Sequence, residues 1–139
     1  MLLLDTNILS AMMGTRPVPE VAVWIASQPI ERLFTTCISQ AEILSGLAIM
    51  PDGRRRCNLE AAARAMFEED FDGRVLPFDM PAAAAYAELF AVRRRAGWPA
   101  APLDLMIASV ARATGADVVT RDIGGFEGCG LTLINPWDA

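Results

Sequence analysis

Four acidic residues carry the chemical interest of this 139-residue chain: Asp5, Glu42, Asp104 and Asp122. Asp5 closes the apolar run Met1-Leu2-Leu3-Leu4, and Glu42 comes shortly after Leu33-Phe34-Thr35-Thr36-Cys37-Ile38. Asp104 follows Pro102 at the head of an apolar stripe, and Asp122 follows Asp117-Val118-Val119-Thr120-Arg121. Carboxylates gathered in one place repel, so at least one is driven to take up a proton unless a cation sits among them. Oxygen donors without His or Cys suit Mg²⁺ or Mn²⁺ better than zinc. A divalent ion held in this way activates water against phosphate esters.

Other chemistries are excluded by what the chain lacks. It has no histidine, which removes Ser-His-Asp and Cys-His catalysis and histidine-ligated zinc. Its 12 basic residues are all arginine, which removes Schiff-base chemistry and the lysine of a Walker phosphate loop. The three cysteines, Cys37, Cys57 and Cys129, fit no metal-ligand spacing and are expected to be reduced thiols. A net charge of −5 opposes the usual footprint of a nucleic-acid binder. A nucleic-acid substrate would therefore need bound metal and local arginine clusters to overcome the repulsion.

Taken singly, each acid also has a structural explanation. Asp5 could cap a helix, Glu42 could be the return partner of a capping box opened by Ser39, Asp104 could complement a helix dipole, and Asp122 could sit in a turn. Their meeting depends on the elements that carry them. Leu2-Leu3-Leu4 reads as a buried parallel strand that delivers Asp5 to the carboxyl edge of a sheet. Further strands are expected at residues 33–38, 74–78, 117–120 and 131–134. Helices are expected at about 7–13, 20–28, 39–50, 54–69 and 81–96, with a loop at 98–102 and a last helix from Leu103 to Gly115. This alternation specifies one α/β domain spanning residues 1–139, a central parallel sheet with helices on both faces. No apolar run reaches membrane-spanning length and no signal peptide is evident, so a cytoplasmic protein is expected.

The ordered set resembles a PIN-domain ribonuclease of the VapC or FitB-like toxin branch. The residues that carry the likeness are Asp5-Thr6-Asn7 after an apolar strand, Ser39-x-x-Glu42 with Gly46, and Asp104 opening a helix. Thr120-Arg121-Asp122 with Phe126, and the closing Asn135-Pro136-Trp137, complete it. The resemblance implies a metal-dependent endoribonuclease with Asp5, Glu42, Asp104 and Asp122 as an acidic pocket for Mg²⁺ or Mn²⁺. It also implies a polar surround of Thr6, Asn7, Ser39 and Thr120, a homodimer, and a cognate antitoxin that blocks the site. Many members of the family have Asn at the position of Asp122 and Asp three residues later, where this chain has Gly125.

Arg54-Arg55-Arg56 and Arg93-Arg94-Arg95 form two basic runs, read either as an RNA or partner contact or as solvated charge. For Arg93 to Arg95 the solvated reading is a cap at a helix C-terminus. Tyr86, Leu89, Phe90 and Trp24 are expected in the core or at a dimer contact, and Gly124 to Gly130 forms a turn. Two rival functions remain. A phosphatase of the haloacid-dehalogenase kind also starts with an acid after strand one, but Asn7 stands where its second aspartate is usual. A PIN-like module that acts only through protein contacts would have no use for four repelling acids.

Overall fold

The computed structural model describes the chain apart from Thr15, Pro99, Ala100 and Ala139. The expected loop at 98–102 therefore falls partly outside the described residues. Strand β1, Leu2–Leu4, is at the middle of a five-stranded sheet of order β3-β2-β1-β4-β5, formed with β2 (Leu33–Thr36), β3 (Val75–Leu76), β4 (Asp117–Val119) and β5 (Leu133–Ile134). Every pairing is parallel, with Leu2 level with Leu33 on one side and Asp117 on the other. The chain builds outward from β1 to β2 and β3, then crosses to the far side for β4 and β5. A doubly wound sheet binds its ligands where the order reverses, beyond the carboxyl ends of the strands, and Asp5 is the first residue past β1.

Period-two alternation along β1 sends its leucines into two separate cores. Leu2 and Leu4 pack with Ile8 and Leu9 of α1 (Thr6–Met12), Val21 of α2 (Pro19–Ala26), Ile43 and Leu47 of α3 (Cys37–Ala48), and Ala63 of α4 (Arg54–Ala65). Leu3 packs on the other face with Leu89 of α5 (Met80–Arg95) and Leu105, Ile107 and Val110 of α6 (Pro102–Thr114). All three leucines are buried, which explains an apolar run without alternating polar residues. Among the described residues no helix is long and apolar enough to cross a membrane. The three cysteines are free thiols.

Several element boundaries differ from the sequence expectation. The strand expected at 33–38 stops at Thr36, and Cys37 and Ile38 already belong to α3. Thr36 is the N-cap, its Oγ1 accepting the Ser39 N–H at 3.1 Å, so Ser39 opens no capping box and Glu42 returns no bond to it. A β-branched threonine suits both a strand end and a helix cap, and Thr36-Cys37-Ile38-Ser39 competes with the Ser-x-x-Glu spacing one turn later. The helix expected to run to about Glu69 is α-helical to Ala65 and then widens into a π-helical turn at Met66–Asp70. Helix α6 stops as expected, with Gly115 in the left-handed region at φ 71°.

Arg93 is a further correction. It is neither a solvated cap nor available to RNA or a partner, because its side chain is buried at 4% exposure. Its Nη1 donates to the Glu127 carbonyl at 2.5 Å, and its guanidinium lies 5.7 Å from the Trp98 ring centroid. Arg94 and Arg95 are exposed. Of the aromatic residues, Trp24 packs on the first core and Tyr86 on the second, whereas Phe90 stacks on Tyr86 and is 40% exposed.

Candidate active site

Each acid reaches the carboxyl edge of the sheet by its own route. Asp5 leaves β1, its backbone N–H still bonded to the Val119 carbonyl at 2.9 Å, and caps α1 through Oδ1, which accepts the Thr6 N–H at 2.7 Å. Glu42 lies in the second turn of α3, which starts where β2 ends. Asp104 is in the first turn of α6, the helix that precedes β4. A helix packed on a parallel sheet and followed by a strand runs against the strands, so its N-terminus lies at their carboxyl ends. Asp122 follows β4 and caps a 3₁₀ turn at Ile123–Phe126, accepting the Gly125 N–H at 3.2 Å. Three of the four structural explanations therefore hold, and they hold alongside convergence.

Together with Thr6, Asn7 and Ser10, the four acids line one cavity of about 370 Å³. Hydrogen bonds fix the side chains around it. Asp5 is buried, and Thr120 Oγ1, fully buried itself, donates to its Oδ2 at 2.8 Å. Thr120 in turn accepts the Asp122 N–H at 3.0 Å and the Asn7 side-chain amide at 3.4 Å. The Thr6 hydroxyl lies 2.8 Å from Glu42 Oε1 and 2.9 Å from the buried Ser39 Oγ. With a single proton to give, Thr6 donates to the carboxylate and accepts from Ser39. Thr6, Asn7, Ser39 and Thr120 thus form two short polar chains, one holding Glu42 and the other joining Asp5 to Asp122.

Burial and neighbouring charge raise two of the four acids. Asp104 is pushed up to about 6, first by burial and then by the charges of Asp5, Asp122 and Glu42, with Arg93 pulling the other way. Asp5 is raised too, mainly by burial; its bonds from Thr120 and Thr6 oppose this, and the charges of Glu42 and Asp122 add to it. Perturbed carboxylates in a cleft mark a candidate site of chemistry.

Comparison with known proteins gives the family. A model of the PIN domain matches residues 2–127. The chain belongs to the PIN-domain family. Over 139 residues it is 43% identical to the plasmid stability protein StbB of Pseudomonas syringae pv. tomato, covering 100% of both chains. It is 41% identical to the VapC ribonuclease Y4jK of Sinorhizobium fredii, covering 99% of each. Toxin FitB of Neisseria gonorrhoeae is 34% identical over 99% of both chains. A crystal structure of FitAcB from that organism superposes with a TM-score of 0.88 at 31% identity, covering 100% of both chains.

In this PIN domain the donor set suits a hard divalent cation, since the cavity presents carboxylates, hydroxyls and the Asn7 amide and neither His nor Cys. The four carboxylates face a shared space without closing on it: among the described residues no group of three acids is close enough together to hold a metal ion as it stands. The fit therefore rests on the type of donor and on the mutual repulsion. Ser10 and Gly125 were not singled out from sequence as site residues. Ser10 lies one helical turn beyond Thr6, an i, i+4 spacing that places both on the cavity side of α1. Gly125 abuts two of the acids: a Cβ there would come within 2.9 Å of Asp122 Oδ2 and 3.0 Å of Asp104 Oδ2.

Proposed function

We propose that this PIN domain is a divalent-metal-dependent endoribonuclease that acts in the cytoplasm as the toxin of a toxin–antitoxin pair. One observation carries the proposal: carboxylates at positions 5, 42, 104 and 122, on four different elements, line a single cavity at the carboxyl edge of the sheet. Support for the substrate class comes from relatives that bear the names VapC ribonuclease and Toxin FitB.

Asp5, Glu42, Asp104 and Asp122 are the residues that would hold Mg²⁺ or Mn²⁺. Such a cation would neutralise charge and lower the pKa of a bound water. The protein's own contribution is positional. Thr120 and the Thr6 backbone fix both oxygens of Asp5, and the Thr6 hydroxyl fixes Glu42, so the acceptors that orient an attacking water do not swing. Water attacks phosphorus in line, the bond to the 3′ oxygen breaks, and the products carry a 5′-phosphate and a 3′-hydroxyl. A cognate antitoxin covering this cavity, and a homodimer, complete the proposal.

The test combines the purified protein with RNA, or with a small phosphate monoester, in Mn²⁺ or in EDTA, beside an Asp5→Asn variant shown by circular dichroism to be folded. The expected result is RNA cleavage that requires both Mn²⁺ and Asp5, with 5′-phosphate ends. Turnover of the monoester alone would select phosphatase chemistry. A 2′,3′-cyclic phosphate product would overturn attack by water, and a folded protein that cuts nothing would leave a protein-contact module.

A further inference from the structure

The acidic cavity adjoins a larger groove of about 1170 Å³, with which it shares Thr6, Ser10 and Glu42. Gly46 of α3 and Arg54 and Arg55 of α4 line the part of this groove beyond the acids. Three features of these residues have no explanation in the fold.

The first is that Arg54 and Arg55 are exposed, and neither makes an ion pair among the described residues. The third arginine of the run behaves differently, with Arg56 bound to Asp52 at 3.0 Å, to Glu60 at 2.6 Å and to the Met50 carbonyl at 3.1 Å. The second is their position in the first turn of α4, behind a Gly53 N-cap that offers no side-chain bond. Cations at a helix N-terminus oppose the dipole, at a cost of about 0.3–1 kcal/mol each, so helix stability does not account for them. The third is Gly46, in the last turn of α3 and one turn beyond Glu42. Glycine is a poorer helix former than alanine, so helix stability does not select it. A Cβ would meet nothing within 4 Å and φ is not positive, so neither packing nor backbone geometry requires it. What glycine does provide is an open floor to the groove.

We infer that this groove holds the RNA strand on one side of the scissile phosphodiester, with Arg54 and Arg55 neutralising backbone phosphates and Gly46 leaving room for a nucleotide. The inference rests on the endoribonuclease proposal and says where its substrate lies. A polyanion approaching four carboxylates in a protein of net charge −5 needs cations near the acids, and these two arginines line a groove that shares Thr6, Ser10 and Glu42 with the acidic pit. A concave groove admits a single strand with exposed phosphates and bases more readily than a duplex.

The test is fluorescence anisotropy of a labelled, unstructured oligoribonucleotide titrated with full-length protein over a range of salt concentrations, in EDTA so that nothing is cut. Replacing Arg54 and Arg55 together with serine removes two phosphate contacts. It should reduce the slope of log affinity against log salt by about 1.4, at ~0.7 per contact on a single strand. Gly46→Leu, which keeps a helix former, should weaken binding about tenfold or more and leave that slope in place. Arg94→Ser with Arg95→Ser removes the same charge away from both cavities and should change neither. An unaltered slope in the Arg54/Arg55 variant overturns the inference. So does an Arg54/Arg55 variant that loses a protein partner but keeps its RNA affinity, because the groove would then belong to that partner. Arginine-dependent binding without cleavage in Mn²⁺ sinks the nuclease proposal and spares the groove. Cleavage and binding that ignore the arginines do the reverse.

Discussion

At residue 125 the chain has room for little beyond a hydrogen atom, because Asp122 and Asp104 each place an oxygen about where a Cβ would go. Both obstructing groups are the ends of side chains, so a methyl group would displace them at little cost to the fold and at considerable cost to the site. Gly125→Ala is therefore expected to leave thermal stability within about 0.5 kcal/mol. It should lower RNA cleavage by about tenfold or more, since shifts below 1 Å in catalytic groups have effects of this size. A melt and a single-turnover assay check both, and full activity in the variant would show that Asp104 and Asp122 tolerate displacement. This position also accounts for the chain's departure from the wider family pattern. With Asp at 122 holding the Gly125 N–H, an acid at 125 would have to occupy the space that Asp104 and Asp122 already fill. The four acids were legible in the sequence because each follows an apolar run or opens a helix, positions that a parallel sheet sends to one edge. The support of Glu42 by Thr6 was not legible in that way, because the two are 36 residues apart and no local spacing relates them.

Arg93 shows the limit of sequence reading at the level of elements. Within Arg93-Arg94-Arg95 the three side chains are identical, and only the face of α5 that meets the rest of the second core separates the buried one from the two exposed. Similar competition moved the start of α3, where two cap spacings overlap and the end of β2 selected the earlier. The order of elements was legible throughout, since it depends on apolar runs and breakers spread over many residues. Their ends were not, since each turned on one or two hydrogen bonds. Arg93 links α5 to the segment after β4 that carries Asp122, through the Glu127 carbonyl, and its charge also lowers the proton affinity of Asp104. Arg93→Leu should thus cost about 1–3 kcal/mol by leaving a carbonyl without its donor, whereas Arg94→Leu should stay within about 0.5 kcal/mol. Thermal melts of the two variants provide the comparison. Equal stabilities would mean that the buried guanidinium contributes nothing to holding this segment.

For the molecule as a whole, the acidic cavity imposes a stability cost that varies with pH. Asp104 rises to about 6 and Asp5 is raised as well, so the folded state holds these protons more tightly than the unfolded chain does. The resulting stabilisation is complete below the ordinary carboxylate pKa of about 4 and is lost as pH climbs through about 6. Metal-free protein should accordingly melt at a lower temperature at pH 7 than at pH 5. For half-buried Asp104 the share is about 1 kcal/mol once solvent screening is discounted. The informative quantity is the difference between wild type and Asp104→Asn. In EDTA the variant should be the more stable at pH 7, with its advantage shrinking towards pH 5, even though it loses RNA cleavage. Adding Mn²⁺ at pH 7 should stabilise the wild type and do less for the variant, because an ion that binds only the folded carboxylates shifts the equilibrium by mass action. If Asp104→Asn is less stable than wild type at pH 7 and Mn²⁺ moves neither melt, then the four acids do not repel one another in the folded protein. The cation they are proposed to hold would then lose its physical basis.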